Sequence, residues 1–303
     1  MTVQVRRAPP NTDPPNPLER ITSMNTAKRL ITISRPIYWV PCMAIYWWGF
    51  LFSGGPFSAY VFLGLLFFTA PMGLIIFGIN DIADRDSDAI NPRKGGIDGA
   101  VIKPKEIKMI IRYITISATT FLLLFLIGQR YLSALALAGI VLFAYTYSVE
   151  PFRLKTRPVI DAISNGFWLI FIYMLGLFIA NVTVPANKDL WLGLSVTFLA
   201  GFVFHSLGTV LDYDTDEEVG EKTIGLLLGR RNTLAMCAVL LLYCTLVSAN
   251  ATLRIFFGLC TFLNLILLAK PDPILIAKFK TIFFYILAVV LPAAYLINRF
   301  IAN

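Results

Sequence analysis

The sequence predicts an all-α fold, a polytopic membrane bundle of about nine transmembrane helices. The 303-residue chain is 57% hydrophobic and only 15% charged, with a mean hydropathy of +0.72, far from the composition of soluble domains. It also contains nine apolar runs close to the roughly 20 residues that a helix needs to cross a bilayer core. In order, the runs are approximately 36–53, 59–79, 106–127, 131–148, 158–180, 190–211, 233–250, 252–269 and 279–298.

These runs leave no room for a soluble domain, so residues 28–303 are predicted to form a single intramembrane domain. Residues 1–27 are polar, rich in Pro and Asn, and lack an apolar segment, a composition typical of a disordered tail rather than a signal peptide. The boundary between the seventh and eighth runs is the least defined, because only a short polar break around Asn250 and Arg254 separates them.

The basic residues lie mostly on one side of the predicted bundle. Of the 26 Lys and Arg, 22 fall in the N-terminal segment and in the loops that share its side. The positive-inside rule therefore places the N-terminus in the cytoplasm and the C-terminus on the opposite side. The net charge of +8 is then explained by topology and by attraction to anionic lipid or substrate, rather than by nucleic-acid binding.

Two dense acidic clusters each directly follow an apolar run on the cytoplasmic side. The first is NDIADRDSD at 80–88, and the second is DYDTDEE at 212–218. Asn80, Asp84 and Asp88 correspond to Gly208, Asp212 and Asp216 at a constant offset of 128 residues. This offset predicts two related four-helix halves plus one further helix, because internal repeats with a site at their interface are common in membrane proteins.

Residues four apart lie on one face of a helix, so each cluster is predicted to form a column of carboxylates. Such columns are costly beside hydrocarbon unless a cation neutralises them, and Mg²⁺ prefers carboxylates, water and substrate phosphates. The predicted metal-binding residues are Asn80, Asp81, Asp84, Asp88, Asp212 and Asp216. The alternatives are a pair of solvated acidic loops, or a secondary transporter or ion-conducting protein that uses the carboxylates as a pathway.

The motifs resemble those of the UbiA-type intramembrane prenyltransferases. The first cluster is similar to the NDxxDxxxD motif of that family, and Asp212 and Asp216 are similar to its DxxxD motif, followed by Gly220 and Thr223. Between them, YSVEPFRLK at 147–155 resembles the YSxPPxRLK stretch of the quinone and chlorophyll branches, with Glu150 in place of Pro. The resemblance implies a helical bundle with a central, lipid-accessible cavity and Mg²⁺-dependent transfer of a prenyl group from a prenyl diphosphate.

Carried over to this chain, the resemblance implies a role for each motif residue. Asp84, Asp212, Lys155 and Tyr147 would be the catalytic residues, and the acidic clusters would bind Mg²⁺. The diphosphate would be bound by Asn80, Arg93, Lys155, Arg153, Arg35 and Asn165. The acceptor would be a lipophilic aromatic, quinone-precursor or lipid molecule, and the partners would be the two substrates and membrane lipid, with no obligatory protein partner.

The chemistry suits these residue types. Mg²⁺ together with Lys and Arg would stabilise the charge that develops on diphosphate as the allylic C–O bond breaks, and aromatic faces suit the carbocation.

His205, the only histidine, either lines the pocket below the second cluster or is a hydrogen-bonded packing residue; Asn165 either lines the cavity or bonds between helices. The four cysteines lie within apolar runs without a CxxC pattern, which excludes an evident zinc site or disulfide framework.

Overall fold

A computed structural model describes residues 26–88, 100–218, 220–248 and 251–286, and within these ranges all regular structure is helical. Fifteen α-helices, α1 to α15, follow one another along the chain. They are Thr26–Ile33, Trp39–Ser53, Ala59–Phe67, Ala70–Gly73, Ile79–Ala83, Arg85–Asp88, Ile107–Ile127, Tyr131–Ser148, Ile160–Ile179, Lys188–Leu211, Tyr213–Glu218, Ile224–Leu228, Arg230–Val247, Ala251–Ala269 and Pro273–Tyr285.

Seven helical segments in the described ranges are long and apolar enough to cross a membrane. They correspond to the second through eighth predicted runs. The first run forms α2, which at 15 residues is shorter than the others, and the end of the last run, from 287 onward, lies outside the described residues. The predicted all-helical membrane fold is confirmed, whereas the count of nine helices is not.

Several boundaries differ from the predicted ones for local reasons. Helix α1 begins at Thr26, inside the segment predicted to be disordered; residues 1–25 lie outside the described ranges. Helix α15 begins at Pro273 rather than near 279, because the Asp272 side chain accepts hydrogen bonds from the Ile274 and Leu275 amides and caps the helix. The gap between the eighth and ninth predicted runs is therefore mostly helix. Lys278 and Lys280 interrupt the apolar pattern of the sequence but not the helix.

The span that carries the first acidic cluster is not a regular helix. It runs from Ala59 to Ala83 but breaks near Thr69, just before Pro71 at the start of α4, and it is π-helical over Leu74–Gly78. Proline removes a backbone donor, and short π-helical segments occur frequently at functional sites. The π-helical turn ends at Gly78, two residues before Asn80, and so lies directly before α5, the helix that begins the first cluster.

The two acidic clusters have the same backbone conformation. Helix α5 ends at Ala83 and helix α10 at Leu211; the next residues, Asp84 and Asp212, have φ, ψ of −95°, 5° and −88°, 4°. A short helix follows each of them, and the Asp88 and Asp216 amides each bond back to these aspartates at 2.8 Å. The offset of 128 residues therefore relates two equivalent helix breaks, which supports the predicted repeat at this position.

Helices α2 and α9 cross in direct backbone contact at two glycines. An added Cβ on Gly49 would lie 2.0 Å from the Tyr173 carbonyl oxygen, and one on Gly176 would lie 1.8 Å from the Tyr46 carbonyl oxygen. Small residues at helix interfaces permit such close approach in membranes. This crossing joins the first helix of one half to the first helix of the other.

We expect Gly176→Ala to destabilise the protein by about 1–3 kcal/mol, since a backbone carbonyl cannot move aside and the helices must separate. Thermal unfolding in detergent measures the change. Gly193→Ala is the matched control, because its added Cβ would meet the Tyr173 hydroxyl at 3.4 Å, an ordinary contact. Equal melting temperatures for the two variants would contradict the close crossing.

Candidate active site

A cationic pair meets the central aspartate of the first cluster. Lys155 Nζ forms an ion pair with Asp84 Oδ2, and Arg153 Nη2 lies 3.4 Å from Asp84 Oδ1. The side chains of Asp84 and Lys155 are 12% and 14% exposed. The 147–155 stretch thus contacts the first cluster directly, through Lys155 within the 3₁₀ turn Leu154–Thr156 and through Arg153 just before it.

Arg153 adopts an unusual backbone conformation, with φ of 35°. Its Nε is buried and has no hydrogen-bond partner among the described residues, while its other nitrogens contact Asp84 and, at 3.6 Å, Glu150. Left-handed conformations of non-glycine residues often occur at functional sites. An unpaired buried N–H is a donor that an anionic ligand would satisfy.

Tyr147 and its neighbour connect three helices near this ion pair. The Tyr147 hydroxyl accepts a hydrogen bond from Asn165 Nδ2 at 3.3 Å, and the Ser148 hydroxyl accepts one from Asn80 Nδ2 at 3.3 Å. Tyr147 stacks on Phe143, whose ring also packs against Trp168. The end of α8 therefore contacts both the first cluster and α9.

A second polar pair lies between α9 and α10. His205 Nε2 lies 3.1 Å from Asp161 Oδ2, and Asp161 also accepts hydrogen bonds from the amides of Ile224, at 3.0 Å, and Ala162, at 2.8 Å. Asp161 is completely buried, whereas the His205 side chain is 19% exposed. Asn165 bonds to the Asp161 carbonyl at 2.9 Å, so this pair continues the polar contacts of Tyr147.

Asp81 and Arg35, which were predicted to bind metal and diphosphate respectively, form a third pair. Asp81 is fully buried, is ion-paired with Arg35, and accepts a hydrogen bond from the Ala100 amide at 3.3 Å. The Arg35 guanidinium lies 4.6 Å from the centre of the Phe77 ring, and Arg35 has φ of 49°. The structure thus pairs Asp81 directly with Arg35, whereas Asp84 is paired with Lys155.

We expect Asp81→Asn to destabilise the protein by about 3 kcal/mol, because removing one member of a buried ion pair leaves the other charge uncompensated. Thermal unfolding in detergent measures this. Asp86→Asn in the same cluster is the control, since the Asp86 side chain is 87% exposed and surface pairs contribute little. A melting temperature as high as that of the control would mean that Asp81 has no anchoring role.

The second cluster is bounded by α10, α11 and α12. Thr223 Oγ1 donates a hydrogen bond to Asp216 Oδ2 at 3.4 Å, and the Glu221 amide bonds to the Asp216 carbonyl at 2.9 Å. Asp212 occupies the helix break described above.

The remaining predicted residues are placed less directly. Asp88 is 5% exposed and follows Asp84 by one helical turn, while Arg93 lies outside the described residues. Within the described ranges, no three His, Cys, Asp or Glu side chains converge on a metal-sized site. The cluster carboxylates therefore do not form a complete cage by themselves, and an ion held there would need further oxygen ligands.

Comparison with known proteins identifies the family. The profile of the UbiA prenyltransferase family matches residues 42–301, which include both acidic clusters and the stretch between them. The chain belongs to the UbiA prenyltransferase family. It is accordingly a prenyltransferase and a multi-pass integral membrane protein, and the choice between enzyme and transporter is resolved in favour of the enzyme.

The curated relatives of this UbiA-family chain include carotenoid enzymes. It is 32% identical over 219 residues to a lycopene elongase/hydratase of Corynebacterium glutamicum, covering 72% of this chain and 76% of that protein. A lycopene elongase/hydratase of Haloarcula japonica is 28% identical over 246 residues, with coverage of 75% and 77%.

The fold matches a solved UbiA homolog from Archaeoglobus fulgidus bound to DMAPP and Mg²⁺. The TM-score is 0.60, the sequence identity is 23%, and the alignment covers 86% of this chain and 99% of that one. At this identity the likeness shows the fold alone. The predicted helical bundle is therefore confirmed by the fold, and the predicted UbiA-type family is confirmed by the family profile.

Sequence reasoning did not select Asp161 and Ser148. Asp161 could have been selected from the sequence, because it is an ionisable residue at the edge of a long apolar run and such residues are usually functional or paired. Ser148 had no such signal, since serine is common in membrane helices and bonds to backbone as readily as to a neighbour.

Proposed function

We propose that this protein transfers a prenyl group from a prenyl diphosphate, in a Mg²⁺-dependent reaction, to a long acyclic polyene of the carotenoid type. The observation that carries the proposal is the pair of equivalent helix breaks at Asp84 and Asp212, the first of which meets Lys155 and Arg153. This arrangement combines acidic groups that attract divalent cations with basic groups that attract a polyanion.

The donor set suits Mg²⁺ held jointly with diphosphate. Mg²⁺ takes one or two carboxylates, retains water and completes its shell with substrate phosphates, so the incomplete cage of the described residues is compatible with it. Asn80, Asp84, Asp88, Asp212 and Asp216 are the proposed ligands, and the buried Nε of Arg153 and of Arg35 are unpaired donors in the described ranges. Bound Mg²⁺ would neutralise the leaving diphosphate.

The protein's own residues would perform four tasks. Lys155 and Arg153 would bind diphosphate oxygens in place of Asp84 and stabilise the charge that develops there as the C–O bond breaks. Tyr147, held by Asn165 and stacked on Phe143, would present an aromatic face to the allylic cation. The surrounding apolar helices would exclude water from that cation. Arg35 and Asp81 would position the first cluster rather than bind the metal.

The acceptor is inferred from the relatives. Two proteins that align over about three-quarters of their own lengths are lycopene elongase/hydratases. A polyene lacks the acidic or phenolic group of an aromatic acceptor, so it would be recognised by an apolar channel. The chain offers predominantly apolar helices for such a channel, among them α7, α8, α13 and α14.

We further propose that both acidic clusters face the cytoplasm, where soluble diphosphates are available. The support is the asymmetry of 22 of 26 basic residues. Modification of a cysteine introduced at Lys222 by an impermeant thiol reagent in inverted vesicles, and not in intact cells, is the expected result. Modification in intact cells would reverse the topology.

The direct test uses the purified full-length chain in lipid nanodiscs with Mg²⁺, dimethylallyl diphosphate and lycopene. We expect stoichiometric release of diphosphate and a carotenoid product enlarged by one or two isoprene units, both abolished by chelation of Mg²⁺. Prenylation of a quinone-precursor acid or a glycerophosphate lipid, with lycopene unchanged, would refute the acceptor. Absence of diphosphate release with every acceptor would refute the prenyl transfer itself.

A further inference from the structure

A series of hydrogen-bonded polar side chains extends from the first acidic cluster to the interface between α9 and α10. Asn80 bonds to Ser148, Tyr147 bonds to Asn165, and Asn165 bonds to the carbonyl of Asp161, whose carboxylate contacts His205. Because unpaired polar groups are costly in hydrocarbon, so many polar side chains in the interior indicate a functional role. Diphosphate binding needs only the cluster residues and their cations, so it does not account for Asp161 and His205.

His205 has the geometry of an oriented base. Its Nε2 faces Asp161 Oδ2 at 3.1 Å, and Asp161 is itself held by the amides of Ile224 and Ala162. A carboxylate at Nε2 stabilises the tautomer with the proton on that nitrogen, which leaves Nδ1 with a free lone pair. Among the described residues, Asp161 is the one hydrogen-bond partner of the imidazole, and the side chain is 19% exposed.

The position of His205 along α10 matches the reacting carbons. It precedes Asp212 by seven residues, which places it on the same helical face and about 10 Å deeper. A prenyl donor bound through diphosphate at the second cluster would extend its first carbons in that direction. The imidazole would thus lie beside the new bond and not beside the diphosphate.

We propose that His205, oriented by Asp161, accepts the proton that the acceptor loses after the new carbon–carbon bond has formed. The inference rests on the proposed prenyl transfer to a polyene. An aromatic acceptor would lose its proton from the ring, whereas a polyene must lose one from a carbon adjacent to a tertiary cation. A base held within the apolar interior performs that step without admitting water.

In the proposed reaction the acceptor first gains the prenyl group and then loses a proton. The allylic C–O bond breaks, and its electron pair leaves with diphosphate. A double bond of the polyene supplies the electron pair of the new C–C bond, which leaves a tertiary cation on the acceptor. The adjacent C–H electron pair then forms a new double bond, and the proton moves to Nδ1 of His205. The resulting imidazolium is paired with the Asp161 carboxylate and later releases the proton to water.

His205→Gln is the decisive variant. A glutamine amide reaches Asp161 from nearly the position of Nε2 and preserves that hydrogen bond, but it has no basic nitrogen. Because deprotonation is slowed, water would capture the cation more often, and the ratio of alcohol to alkene product should rise by about tenfold or more. This rise is smaller than the ~10²–10⁴-fold rate contribution of a positioned base, because water competes for the cation. Ser206→Ala is the control, because the Ser206 hydroxyl bonds only to its own helix.

The assay is the nanodisc reaction with dimethylallyl diphosphate and lycopene, with diphosphate release and product composition measured together. A carotenoid product enlarged by an isoprene unit, formed by the wild type together with diphosphate, establishes prenyl transfer independently of the inference. A raised alcohol fraction in His205→Gln, with Ser206→Ala unchanged, would support the proposal. An unchanged alcohol-to-alkene ratio in His205→Gln would overturn it, whether or not the overall rate falls, because a purely structural role would slow both products equally.

Discussion

Asp84→Asn and Asp212→Asn are each expected to reduce prenyl transfer by about 10³-fold or more while leaving the protein folded. Each substitution preserves the side-chain shape at a helix break but removes the charge that would attract Mg²⁺. Loss of a single preorganised charge-stabilising group typically costs ~10²–10³-fold in rate, and the loss of a metal ligand adds to this. Rates of diphosphate release at saturating Mg²⁺ and donor measure the effect.

Matched controls lie one turn or less away in each cluster. The side chains of Asp86 and Asp214 are 87% and 80% exposed, and Asp86→Asn and Asp214→Asn should retain the wild-type rate. If the exposed and the helix-break aspartates were equally sensitive, the clusters would act by general charge and not as a defined site. Full activity in Asp84→Asn or Asp212→Asn would exclude a catalytic role for that residue.

Lys155→Met is expected to reduce the turnover rate by about 10²–10³-fold, the second largest effect. Lys155 is the closest cation to Asp84 and is 14% exposed, so its charge acts in a partly desolvated environment where it would stabilise the leaving diphosphate strongly. Methionine keeps the length and apolar stem of the side chain. The turnover rate and the KM for donor, measured separately, show whether the residue acts in binding or at the transition state.

Lys105→Met provides the comparison, since Lys105 is exposed and lies in the 3₁₀ turn Pro104–Glu106, directly before α7. It should alter neither constant. A rise in KM without a fall in turnover in Lys155→Met would assign the lysine to ground-state binding of diphosphate. The comparison requires that both variants keep the melting temperature of the wild type. We expect this for Lys155→Met because Arg153 still pairs with Asp84.

The fold was largely predictable because membrane helices can be recognised in a sequence by the length and low polarity of their apolar runs. Runs two through eight correspond to helices within a few residues. The exceptions have local causes: Asp272 and Pro273 start α15 early despite two lysines, and Pro71 with the π-helical turn interrupts the second span. Neither cause changes the hydropathy pattern, so hydropathy could not reveal them.

The site was predictable where its residues follow chain spacing. The equivalence of Asp84 and Asp212 followed from the 128-residue offset, and the proximity of Lys155 to the first cluster followed from the family motif. The pairing of Asp81 with Arg35 and of Asp161 with His205 was not predictable, because each joins residues 44 to 46 positions apart through helix crossings. The proposed polyene acceptor was also absent from the expected classes and is suggested only by the relatives.

The central claim is that the two acidic clusters form one Mg²⁺–diphosphate site. Equilibrium binding of dimethylallyl diphosphate to the full chain, with Mg²⁺ and without acceptor, tests it most directly when wild type, Asp84→Asn, Asp212→Asn and the double variant are compared. One shared site predicts one bound donor per wild-type chain and loss of binding in each single variant, with no further loss in the double variant. Two donors per chain, or single variants that each retain half of the binding, would contradict it.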